Sequence, residues 1–108
     1  RRAVTLREIL EASATETPGV EVGTEDGGAT TWSSAGTVFA VLAADGASAS
    51  FLLDSIVANA AARTPDVKRS RRGDGWVEMA PKVVDRHVYD RARAWFLSGH
   101  RRLTGPGL

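Results

Sequence analysis

The chain has no cysteine among its 108 residues. That excludes disulfide staples, thiol catalysis and thiolate metal sites, and it suits a reducing compartment, so a cytoplasmic location is expected. Net charge is also scarce. Fourteen Lys and Arg face thirteen Asp and Glu, which leaves +1, so bulk charge names no partner. No apolar run approaches the roughly 18 residues that a membrane span needs. Arg1 and Arg2 precede no apolar stretch, so neither a membrane anchor nor a secretory signal is expected.

Catalytic signatures are equally sparse. There is no Walker loop and no Gly-x-Gly-x-x-Gly, and Ser33, Ser34 and Ser98 sit in no nucleophile elbow. His87 and His100, the only histidines, lack the i,i+4 spacing of a helical metal pair and have no carboxylate triad around them. His87 and Asp90 are three apart and read as an ordinary surface pair. Gly73 and Gly75 precede a strand rather than a helix, so they form no phosphate-binding helix terminus. The expectation is a non-enzymatic chain with no metal and no cofactor.

What is present supports one domain over residues 1–108, with a core over about 4–103 and a tail at 104–108. Hydrophobic residues make up 43% of the chain, enough for one modest core. Charge is uneven along it. Residues 1–62 carry three basic residues against eight acids, a net of −5, whereas residues 63–108 carry eleven against five, a net of +6. Such asymmetry suits an anionic partner for the second half, or attraction between the halves.

Thr5 and Glu8 have capping-box spacing, and Leu6, Ile9, Leu10 and Ser13 share one face of the helix that follows. Thr17-Pro18-Gly19 stops it, and residues 20–28 add a short extended stretch. Three strands follow, with turns at Ala35-Gly36 and Asp45-Gly46. Pairing across two-residue turns sets Trp32 opposite Phe39 and Phe39 opposite Leu52. The opposite face holds Val38, Ala40, Leu42, Ala49, Phe51 and Leu53, which is assigned to the core. A one-residue bulge would reverse part of this assignment. A helix capped by Asp54 or Ser55 shows Ile56, Val57, Ala60 and Ala61 as its stripe. A second hairpin spans residues 67–80. Asp85 caps the longest helix, whose inner face is Val88, Ala92, Trp95, Phe96, Gly99 and Leu103. The predicted fold class is α+β, a two-layer α/β sandwich of order α-β(3)-α-β(2)-α with a mostly antiparallel sheet.

Two surface features invite a functional reading. In the second hairpin, a two-residue turn places Arg69 and Arg71 beside Trp76 and Glu78, with Lys68 and Arg72 on the other face. One account is a self-compensated edge hairpin whose charges discourage aggregation. The other is a wing that grips phosphates, with Trp76 stacking on a base or sugar and Arg101 and Arg102 extending the patch. The Trp32–Phe39–Leu52 stripe is either an exposed interface for a second copy or another protein, or part of a core wrapped on both sides.

Trp32 with Gly36, Val38, Phe39 and Ala40, then Gly75-Trp76-Val77, then the Asp- and Arg-rich aromatic helix from Asp85 to Leu103 resemble the MmcQ/YjbR family. The resemblance spans residues 4–103. It implies a small bacterial domain with a secretion-chaperone-like fold and DNA binding through two hairpin wings, here those around Asp45-Gly46 and Asp74. The first wing has no Lys or Arg between residues 37 and 53, so the expected DNA contact is the second, through Lys68, Arg69, Arg71 and Arg72.

Overall fold

The computed structural model describes residues 4–104; residues 105–108 of the expected tail lie outside them. The first helix, α1 (Leu6–Thr15), begins at the capping box: Thr5 accepts from the Glu8 N–H at 3.1 Å, and Glu8 accepts from the Thr5 N–H at 3.0 Å. Its buried face is Leu6, Ile9, Leu10 and Ser13, as the periodicity predicts. Four strands follow: β1 (Glu21–Thr24), β2 (Thr30–Ser34), β3 (Thr37–Leu42) and β4 (Ala49–Leu52). The stretch over 20–28 thus supplies a fourth strand before α2 (Ser55–Ala61), and the order becomes α-β(4)-α-β(2)-α. Then come β5 (Val67–Arg69), β6 (Trp76–Met79) and α3 (Arg86–Thr104). Asp54 caps α2 through the Val57 N–H at 3.1 Å, and Asp85 caps α3 through the Val88 N–H at 2.9 Å.

All six strands form one antiparallel sheet in the order β1-β2-β3-β4-β6-β5. Helix α3 packs on β2, β3 and β4; α2 packs on β5 and β6; α1 lies along α3. The core beneath them contains Ala40, Leu42, Ala49, Phe51, Leu53, Val77 and Met79 from the strand region. From α3 come Val88, Ala92, Trp95 and Phe96, with Gly99 seated on the Leu52 carbonyl and Phe39.

The expected stripe of Trp32, Phe39 and Leu52 is not a surface. Trp32 is 1% exposed and Phe39 0%, and Leu52 is half-buried. The cause is a β-bulge. The Ala35-Gly36 turn pairs Ser34 with Thr37 and Ser33 with Val38, but Trp32 then pairs with Ala40. Phe39 is therefore the extra residue on β3. The slip moves Trp32 to the helix-covered side and lets Phe39 turn the same way. Both rings meet Phe96 edge-to-face, with centroids 5.9 and 5.0 Å away. Each such pair adds about 0.5–1.5 kcal/mol beyond area burial. The interface role assigned to the stripe fails with its exposure.

The expected stripe of α2 also needs correction. Ala58 and Ala61 are buried, whereas Ile56 is 80% exposed. Two alanines three residues apart form the face that meets β5 and β6, where a small side chain lets the helix approach closely.

Candidate functional site

The helices leave the other side of the sheet open. Strand alternation puts Ala40, Phe51 and Val77 under the helices, so their neighbours face outward. The register aligns these neighbours across four strands: Val41 opposite Ser50, Ser50 opposite Glu78, and Glu78 opposite Lys68. They floor an open cleft of about 740 Å³. Ala43, Ala44 and Ser48 of the β3–β4 turn wall one side, and Ser70, Arg71 and Arg72 of the β5–β6 loop wall the other. The two hairpins singled out in the sequence thus flank one concavity.

The β5–β6 connection is longer than a two-residue turn. The Ser70 N–H donates to the Trp76 carbonyl at 3.0 Å, leaving residues 71–75 as the loop. The expected faces are therefore exchanged. Lys68 shares its face with Glu78, while Arg69, paired with Val77, turns toward α2 and donates to the Asn59 side-chain oxygen. Arg71 stands exposed at the rim.

Arg72 has two partners. Its guanidinium lies 5.3 Å from the Trp76 ring centroid, so one indole face is already covered. It also donates to both carboxylate oxygens of Glu25, one at 3.1 Å. Glu25 follows β1, at the far edge of the sheet from β5, so the pair spans the open face. The Arg72 hydrogen bond, reinforced by its charge, holds the Glu25 carboxyl below its ordinary pKa of 4.5, against a smaller opposing effect of desolvation.

Arg101 and Arg102 are exposed in the last turn of α3, in the helix layer on the other side of the sheet from the cleft. The basic residues thus do not form the single band expected of them. His87 is exposed near the start of α3, and the His100 ring meets Phe39 edge-on at 5.8 Å. Among the described residues no group of three or more His, Asp or Glu is placed to hold a metal ion, and no helix is long and apolar enough to cross a membrane.

Sequence reasoning missed Glu25 and Ser50 as parts of this site, and it grouped Glu78 with Arg69 and Arg71 rather than with Lys68. Ser50 and Glu78 carried a signal: each is the polar member of an alternating strand, between Ala49 and Phe51 or between Val77 and Met79. Glu25 carried none, because its partner lies in a distant loop. No protein-family model matches the chain, and no curated protein matches it.

Proposed function

We propose that this chain is a non-enzymatic domain of MmcQ/YjbR type that binds nucleic acid weakly and electrostatically, in the cytoplasm of a bacterium. One observation carries the reading: Lys68 and Arg71 stand exposed in a cleft whose other lining includes three serines, three alanines and a single carboxylate, Glu78. Basic side chains at such a site displace condensed counterions from phosphates, which drives association without base contacts.

The footprint is smaller than four cations suggest. Arg69 is engaged with Asn59, and Arg72 with Glu25 and Trp76. Two phosphate contacts on duplex DNA correspond to a log–log salt slope of about −1.8. Titrating a duplex oligonucleotide from low to moderate salt tests this. A slope near that value, lost when Lys68 and Arg71 are changed to Ala, supports the reading; absence of binding at low salt refutes it. The alternative of a protein-binding sheet face has lost its basis, since Trp32 and Phe39 lie under α3.

A further inference from the structure

We propose that the open-face cleft is a site for a phosphate monoester, as carried by a sugar phosphate, a mononucleotide or a phosphorylated strand end. The inference rests on the reading of the cleft as phosphate-facing and names the form of phosphate it takes.

Charge is the first argument. Lys68, Arg69, Arg71 and Arg72 border the cleft. Against them stand Glu78 on the floor and Glu25 on Arg72. With Arg69 engaged by Asn59 on the helix side and Arg72 held by Glu25, Lys68 and Arg71 are the two cations left to the cleft, with Glu78 the one carboxylate beside them. A phosphate monoester carries about −1.5 to −2 near neutral pH, with three terminal oxygens. An internal phosphodiester carries one charge, and two of its oxygens are tied up in ester links.

Donor placement is the second. Three serines from different elements line the cleft: Ser50 on the floor, Ser48 on the β3–β4 turn, and Ser70 on the β5–β6 loop. The Ser70 oxygen accepts the Arg72 N–H at 3.2 Å, which leaves its own proton to donate. Lys68 and Arg71 supply charge-assisted donors to the same volume. Glu78 is a poor neighbour for phosphate but a good acceptor for the hydroxyls of an attached sugar.

Size is the third. A cavity of about 740 Å³ is on the scale of small-molecule sites, about 300–1,000 Å³.

Calorimetric titration of the whole chain with ribose 5-phosphate, and with one short single-stranded oligonucleotide bearing either a 5′-phosphate or a 5′-hydroxyl, tests the inference. The expected result is binding of ribose 5-phosphate, and about tenfold tighter binding of the phosphorylated strand. Lys68→Ala and Arg71→Ala, both at exposed positions, each weaken the sugar phosphate about tenfold. Equal affinity for the two strands, with ribose 5-phosphate inert, overturns the inference and leaves nucleic-acid binding standing. Binding of ribose 5-phosphate but of neither strand supports the inference and overturns the nucleic-acid reading. Silence in every titration overturns both.

Discussion

Arg72 and Glu25, 47 residues apart in sequence, close a two-pronged hydrogen-bonded pair across the open face of the sheet. The side chains are 32% and 37% exposed, so the pair contributes at most about 1 kcal/mol and weakens with salt. Its pH dependence has a definite sign. The Glu25 carboxyl titrates below 4.5 in the folded chain and near its ordinary value when unfolded. Its contribution is therefore complete above the unfolded value and is lost as pH falls through the folded one. Glu25→Gln is expected to lower unfolding free energy by up to about 1 kcal/mol at neutral pH, and the two proteins converge in strong acid. Urea denaturation at the two pH values checks this.

Side-chain partners separate the basic residues into groups. Arg71→Ala is expected to reduce the salt slope of nucleic-acid binding by about 0.9, one phosphate's share. Arg69→Ala leaves that slope nearly unchanged, because this side chain is turned toward Asn59 on the helix side. Parallel salt titrations of the two variants measure the difference. An equal loss from both would show that the face assignment does not govern binding.

Trp32 lies under α3 and is 1% exposed. Trp32→Asp is therefore expected to abolish folding rather than alter assembly, since a carboxylate would replace an indole buried in the apolar core. Trp32→Ala is expected to cost about 3–5 kcal/mol through the cavity it leaves. Circular dichroism of the first variant and chemical denaturation of the second distinguish these outcomes from those of a surface residue.

Local chemistry made much of this architecture legible. The Thr5–Glu8 box, the caps at Asp54 and Asp85, and the inner faces of α1 and α3 all follow from spacing within a few residues. So does the pairing of β3 with β4, where Ala40 meets Phe51. Errors entered wherever one residue of register decides a face. The bulge at Phe39 turned an expected surface stripe into core, and the longer loop after Ser70 exchanged the faces of Lys68 and Arg69. Both follow from the period of two, under which one added residue inverts everything beyond it. The cleft was not legible because it depends on two separate hairpins flanking one face of the sheet and on a pairing between residues far apart in sequence.

The β2–β3 turn holds a local conflict. Ala35 and Gly36 both have positive φ, 53° and 83°, the backbone that a two-residue type I′ turn demands. Glycine adopts it readily, but the Ala35 methyl group raises its cost by about 1–2 kcal/mol. Asparagine tolerates that region and leads Asn-Gly, the favoured pair for this turn. Ala35→Asn is expected to stabilise the chain by about 0.5–1 kcal/mol. A higher urea midpoint with an unchanged slope would show it.

Gly75 and Gly73 provide a matched test of what fixes the β5–β6 loop. Both have positive φ, 82° and 137°, so alanine strains the backbone at either position. Only at Gly75 does a new methyl group also strike the fold: it would lie 2.6 Å from the Leu53 carbonyl oxygen and 3.2 Å from a Leu52 methyl group. That carbonyl has little room to retreat, because the Leu53 N–H is bonded to the Gly75 carbonyl at 2.8 Å. A methyl group at Gly73 meets nothing within 4 Å. Gly73→Ala is expected to cost about 1–2 kcal/mol from backbone strain alone. Gly75→Ala should cost about 1–3 kcal/mol more through the added overlap. Chemical denaturation of the two variants isolates the overlap as their difference. Equal destabilisation would mean that the loop does not pack against the end of β4, and the wall of the cleft formed by Arg71 and Arg72 would lose its support.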